Sequence, residues 1–116
     1  MFEVVGSERR GRWAARVLVA GEETGGRLAA VELRLPGGQA STRHIHARED
    51  ELIYVLEGCL ICDQDGACVT VASGNSLFLP RGNEHCVRAG VAGARLLVVI
   101  TPAGLEGYYR RLGSSA

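Results

Sequence analysis

The sequence contains no lysine, only three histidines and three prolines, and a single tryptophan. Its thirteen basic residues are therefore all arginine, which excludes Schiff-base catalysis by a lysine amine. Thirteen acidic residues balance them, so the net charge is zero. The sequence therefore lacks the excess of basic residues with which proteins bind nucleic acid or an anionic membrane. No apolar run approaches the roughly 20 residues needed to span a bilayer. The N-terminal segment lacks a signal peptide's apolar core, so the expected location is the cytoplasm.

A chain of 116 residues is long enough for one hydrophobic core and too short for two. Hydrophobic residues make up 47% and charged residues 22%, a composition that is ordinary for a globular protein. The sequence has neither internal repeats nor a linker. We therefore predict a single domain over residues 1–116.

Apolar segments recur about every 8 to 12 residues, a spacing typical of an all-β sandwich or barrel. Glycine, proline and asparagine between them favour turns. The apolar residues Leu105, Tyr108 and Leu112 are spaced i, i+3 and i+7, which predicts a short C-terminal helix that caps the outside of the barrel. The predicted strands cover residues 12–20, 28–35, 42–46, 51–57, 60–62, 68–71, 76–79, 85–88 and 94–101, and the predicted turns include 21–26, 65–66 and 90–93.

The chain has four cysteines, Cys59, Cys62, Cys68 and Cys86. Cys59 and Cys62 form a C-x-x-C motif, but residues three apart on a strand point to opposite faces and cannot share one ion. We expect all four to pack as small apolar side chains in the reduced state. A redox pair of Cys62 and Cys68 across the hairpin at 65–66 is the alternative.

The histidines are the most informative residues of the chain. His44 and His46 lie two apart, so both project from one face if they lie on a strand. Glu51 follows a short polar stretch that could return the chain along a neighbouring strand, and His85 begins a later strand. Three imidazoles and one carboxylate suit one divalent transition metal, such as iron, manganese, nickel, copper or zinc. An exposed H-x-H pair without a metal is the alternative interpretation.

Two blocks of residues around these histidines carry a family resemblance. The first runs Gly38, five residues, His44, one residue, His46, four residues, Glu51, six residues, Gly58. The second runs Gly74, five residues, Pro80, one residue, Gly82, two residues, His85. Both blocks, and the fifteen residues between them, resemble the signature motifs and spacer of small members of the cupin superfamily. One departure is Ala89, where the second motif usually has an asparagine that is not a metal ligand.

The resemblance implies an all-β, single-domain cupin, which is a jelly-roll-like β-barrel, with the short C-terminal helix added. It also implies that His44, His46, Glu51 and His85 are the ligands of the metal. Strand alternation predicts that Ile53, Val55 and Val87 face the metal and form an apolar wall. Glu57 has the same parity as Glu51 but lies roughly 20 Å further along the strand, so no second general base is expected inside.

Several functions are compatible with such a site. The resemblance implies first a metal-dependent, dioxygenase-like enzyme, similar to quercetinase-like cupins, that acts on an enol, diketone or flavonol. A non-redox cyclase or isomerase, like the small cupins of aromatic polyketide pathways, is the second possibility, and a non-catalytic module that binds a small ligand is the third. The loop residues Arg81, Asn83 and Glu84 either line the mouth or form a solvated turn. The resemblance further implies a homodimer in which N-terminal strands such as 12–20 pair across subunits.

Overall fold

The computed structural model of the protein describes residues 4–5, 13–41 and 44–109, without the side chains of Val4, Val5 and His44. Nine strands and one helical turn have assigned bounds within these ranges, and residues 106–109 form a second helical turn. The elements are β1 Val4–Val5, β2 Ala14–Val19, α1 Gly21–Thr24, β3 Ala29–Leu35, β4 Ala40–Ser41, β5 His44–Ile45, β6 Asp50–Gln64, β7 Ala67–Ala72, β8 Ser76–Leu79 and β9 Glu84–Thr101.

Two long antiparallel strands, β6 and β9, form the spine of the fold. They pair from Asp50 opposite Thr101 to Gln64 opposite His85, except that residues 90–93 of β9 have no partner on β6. Along β6, the first half also pairs with β8 and the second half with β7. Along β9, the second half pairs with β3 and the first half with β4 and β5, while β2 and β1 extend the two sides. The shared strands thus join two sheets around one apolar interior.

The spine bends where Gly58 of β6 crosses Gly93 of β9. Both glycines have positive φ, +78° and +86°, which side chains other than glycine rarely adopt. A Cβ atom on Gly58 would lie 2.1 Å from the carbonyl oxygen of Gly93, so the two backbones approach too closely for any side chain. The bend predicted at 90–93 is present, since these four residues have no partner on β6 and Val91 is fully exposed. It lies within β9, so the predicted strands 85–88 and 94–101 belong to one strand. The predicted strands 51–57 and 60–62 likewise belong to one strand.

A β-bulge in β6 changes which residues face the interior. Val55 pairs with Leu96 and Glu57 with Arg95, so the regular register is interrupted between them. The extra residue reverses the alternation of faces. Val55 is fully buried, as predicted, whereas 64% of the Glu57 side chain is exposed. The predicted inward parity of Glu57 is wrong for this reason.

Both ends of the described chain contribute aromatic residues to the core. Trp13, just before β2, and Tyr109, in the helical turn 106–109, are 1% and 2% exposed. Leu105 and Tyr108 are partly buried against the same core, which agrees with the predicted amphipathic stripe. Leu112 lies outside the described residues. The helical turn differs from the prediction in that it inserts Tyr109 into the interior as well as covering the barrel.

The cysteines follow the alternation of the strands, and all four are free thiols. Cys62 is fully buried, whereas Cys59 is only half-buried, so the two do not share a site. Asp63, the residue after Cys62, lies opposite Cys68. Because neighbouring residues alternate between faces, Cys62 and Cys68 lie on opposite sides of the sheet, and the alternative redox pair is not formed.

Within the described part of the chain, the helical segments are single turns, and none has the length and apolarity needed to cross a membrane.

Candidate metal centre

The two sheets bring together three of the predicted ligands inside the barrel. Glu51 is the second residue of β6, where it pairs with Leu79 and Ile100. His85 is the second residue of β9 and belongs to the other sheet, where it lies opposite Gln64. His46 follows β5 directly, and its carbonyl oxygen accepts a hydrogen bond from the Gly82 N–H at 2.9 Å. Residues from three separate parts of the chain thus meet at one point.

The three side chains form a compact and buried group. His46, Glu51 and His85 are 5%, 4% and 2% exposed. The Nε2 atom of His46 lies 3.2 Å from Oε2 of Glu51, and the rings of His46 and His85 have centroids 5.6 Å apart. One ligand atom from each of the three residues lies within 4.8 Å of the others, a spacing that could hold a metal ion.

The fourth predicted ligand, His44, is described only by its backbone. It lies on β5 directly opposite His85 of β9. The backbone register therefore brings His44 next to a member of the buried group, as the H-x-H spacing requires. Its role as a ligand stays a prediction.

The electrostatics of the group are set by burial. Removal from water, together with the smaller effect of the nearby negative charge of Glu49, raises the pKa of Glu51 to about 7. Its closest charged or polar neighbours are imidazoles rather than arginines. A divalent cation between these groups would offset the desolvation of the carboxylate, since an opposite charge favours the ionised form.

The donor set fits a divalent transition metal. Imidazole nitrogen and carboxylate oxygen bind such ions at about 2.0–2.2 Å, so ligand atoms on one ion lie roughly 3 to 4 Å apart. The observed spacing of the three atoms is compatible with that requirement. All three side chains come from strands or strand ends, which hold their backbones in place.

The turn before His85 is tied to the strand that carries Glu51, a contact that the sequence analysis missed. The Arg81 guanidinium donates to both carboxylate oxygens of Asp50, at 3.2 Å from Nε and 2.8 Å from Nη2, and its backbone N–H donates at 2.8 Å. These hydrogen bonds lower the pKa of Asp50. Arg81 was expected at a mouth or in a solvated turn. Arg81 is exposed and lies in a turn, which agrees with the solvated-turn alternative, and its contact with Asp50 ties that turn to the start of β6.

A small internal cavity lies beside Glu51 and His85. Its other walls are the predicted Ile53 and Val87, together with Trp13, Leu33, Leu35, Leu79, Leu96, Val98 and Tyr109. The volume is about 10 Å³. The apolar wall expected from strand alternation is therefore present. Trp13 and Tyr109 were not expected there, because each enters from a segment whose approach to the barrel depends on tertiary packing.

Three comparisons with known proteins agree with this architecture. The cupin domain family model matches residues 31–100. The quercetin 2,3-dioxygenase of Bacillus subtilis is 28% identical over 98 residues, which are 84% of this chain and only 29% of that protein. The tetracenomycin polyketide synthase protein TcmJ of Streptomyces glaucescens is 30% identical over 105 residues, or 88% of this chain and 69% of that protein.

The solved structure of KdgF from a Halomonas species superposes with a TM-score of 0.74 at 18% identity, covering 90% of this chain and 92% of that one. At this identity the similarity supports the fold alone.

Proposed function

The chain belongs to the cupin family, and we propose that it holds one divalent transition metal through four ligands, His44, His46, Glu51 and His85. The buried group of three donor atoms within 4.8 Å supports this proposal. The backbone position of His44 opposite His85 is consistent with the fourth ligand. The ion is iron, manganese, nickel, copper or zinc, the metals that such a donor set prefers.

We propose further that the protein is a metal-dependent enzyme with dioxygenase-like chemistry on an enol, diketone or flavonol. The observation that carries this proposal is the position of the donor group next to an apolar cavity. The similarity to a quercetin 2,3-dioxygenase supports it. A bound metal would supply Lewis acidity and, where redox-active, the activation of oxygen. The apolar walls favour a planar, largely apolar substrate beside Glu51 and His85, once the cavity has widened to admit it.

Metal analysis of freshly purified protein and oxygen consumption together test this proposal. We expect close to one transition metal per chain, and oxygen uptake when quercetin or pentane-2,4-dione is added to iron- or nickel-loaded protein. The His46→Ala variant should lose both. Purified protein without metal, and without affinity for added metal, would overturn the site; full metal loading without oxygen uptake would overturn the dioxygenase chemistry.

A non-redox cyclase or isomerase is the second candidate, favoured by the 30% identity to a polyketide synthase protein. Turnover of a polyketide-like substrate under strictly anaerobic conditions would favour it over the dioxygenase. Binding of a ligand without any turnover would instead indicate a small-ligand-binding cupin.

We also propose a homodimer that pairs the N-terminal strands of two subunits. Strand β2 supports it, since β2 terminates the strand order β1-β4-β9-β3-β2 and pairs within the chain on its β3 side. Its residue Leu18 is 41% exposed. An open strand edge of this kind is commonly covered by another chain. A molecular mass of one chain by light scattering would refute the dimer. The cytoplasmic location and the single-domain boundary 1–116 stay predictions.

A further inference from the structure

Two of the residues that line the internal cavity are not part of the barrel wall. Nine of the eleven lie on the paired strands β3, β6, β8 and β9. The exceptions are Trp13, which precedes β2, and Tyr109, in the helical turn 106–109. A strand residue cannot leave the interior without breaking ladder hydrogen bonds. Tyr109 can leave if one helical turn moves.

The cavity is too small for an organic ligand in its present form. About 10 Å³ corresponds to roughly one water molecule, whereas pockets for small organic ligands measure about 300–1,000 Å³. A diketone or flavonol beside Glu51 and His85 therefore needs a wall residue to move. Tyr109 is the large side chain whose removal disturbs the strands least, and its aromatic ring matches the body of such a ligand.

Among the described residues, polar contacts to Gly21, Gly26 and Gly104 hold the segment that carries Tyr109. The buried carboxylate of Glu106 accepts hydrogen bonds from the Gly21 N–H at 2.7 Å and from the Gly104 N–H at 2.8 Å. The Ala103 N–H also donates to the carbonyl oxygen of Gly26 at 3.1 Å. We call the Glu106 contacts to Gly21 and Gly104 the latch. The latch lies outside the strand ladder, so it can open while the barrel stays intact.

We propose that the Tyr109 ring is a displaceable plug: it occupies, beside Glu51 and His85, the place that the aromatic or planar body of the substrate takes when it binds. This inference rests on the proposed function for what the ligand does at the metal. The displacement itself depends only on the cavity, the plug and the latch.

The plug reduces the apparent affinity for any ligand of this shape. Binding requires the open state, so the apparent dissociation constant equals the intrinsic one divided by the open fraction. Weakening the latch raises the open fraction and must therefore tighten binding. If Tyr109 were only a fixed core residue, weakening the latch would lower the stability of the fold and would not tighten ligand binding.

Toluene is the probe, since it is aromatic and has no donor atom with which to bind a metal. Trp13 is the only tryptophan of the chain and lines the cavity, so its fluorescence reports occupancy. The test compares the as-purified wild type with Glu106→Gln, which leaves a single acceptor for the two latch donors. The matched control is Glu32→Gln, the same chemical change on the outer face.

We expect Glu106→Gln to bind toluene about tenfold more tightly than wild type, the effect of losing one hydrogen bond to a charged group. Glu32→Gln should bind like wild type. Equal or weaker binding by Glu106→Gln would overturn the plug.

Gly21→Ala changes the donor residue of the Glu106–Gly21 contact and tests the same proposal if Glu106→Gln does not fold. A Cβ atom there would lie 2.8 Å from both Ala103 Cβ and Glu106 Oε2, so the latch must shift. It should also tighten toluene binding, and no tightening would again contradict the plug. Absence of metal or of oxygen uptake would remove the proposed function while leaving the toluene result unaffected.

Discussion

Two groups of ionisable side chains, one inside the barrel and one on its outer face, have carboxylates whose pKa values shift in opposite directions. Inside the barrel, Glu51 of β6 meets imidazoles, and burial raises its pKa to about 7. On the outer face, Glu32 of β3 accepts from Arg95 of β9 at 2.6 Å and from Arg16 at 3.0 Å, and these arginines lower its pKa. The outer carboxylate, Glu32, is therefore already paired with two arginines of the chain. The inner one has none described beside it, which is the condition under which a bound metal ion is favourable.

The largest difference between the two groups is expected in zinc affinity when the carboxylate of each is exchanged for an amide. Glu51→Gln removes the only anionic member of the proposed site, and we expect zinc affinity to fall by more than about 100-fold, beyond what outer contacts to a metal ligand contribute. Glu32→Gln should leave zinc affinity unchanged. Competition with a chromophoric zinc indicator measures both, and equal affinities for the two variants would contradict the assignment of Glu51.

Removal of the metal should destabilise the protein through the inner group alone. At a free metal concentration 100 times the dissociation constant, binding stabilises the fold by about 2.7 kcal/mol, so adding a chelator should lower the Tm by roughly 10 °C. In His85→Ala the chelator should have no effect. A scanning calorimeter measures the difference, and a chelator-induced shift that survives in His85→Ala would place the stabilising metal elsewhere.

Loss of the Arg81–Asp50 contact should lower the metal affinity of the inner group by less than loss of Glu51 does. Arg81→Ala frees the turn that precedes His85 and the start of β6, so we expect metal affinity to fall by about tenfold, the lower end for residues that orient ligands. Arg88→Ala, an exposed arginine on β9, is the control. If both variants titrate alike with zinc, the contact does not position the ligands.

A substitution in the outer group should have the smallest effect, a small decrease in Tm that depends on pH. Because the pKa of Glu32 is lowered in the folded state, its stabilisation is present above the usual value of 4.5 and is lost as the pH falls through the lowered value. Glu32→Gln should therefore reduce the Tm slightly at pH 7, and the reduction should shrink as the pH falls below 4.5. A Tm difference that grows on acidification would have the wrong sign.

The strand pattern and the cupin fold could be predicted from the sequence because they depend on local alternation and motif spacing. Ile53, Val55 and Val87 face the interior as expected, and three of the four histidine and glutamate positions meet in one buried group. Glu57 was mispredicted because a single bulged residue reverses the alternation, and no composition signal marks its position. The bend at 90–93 follows from its glycines, but their presence does not show that strand β9 continues through the bend.

The types of the donor residues, their spacing along the chain and the alternation of inner and outer side chains follow from the amino-acid sequence alone. The convergence of His46, Glu51 and His85 depends on the tertiary structure, because it brings together strands that are far apart in the chain. The same holds for the contact of Arg81 with Asp50, which ties the turn before His85 to β6. The tertiary structure also decided that Tyr109 enters the barrel beside the site. Helical periodicity marks which side of a segment is apolar, but the element against which that side packs is set by the whole fold.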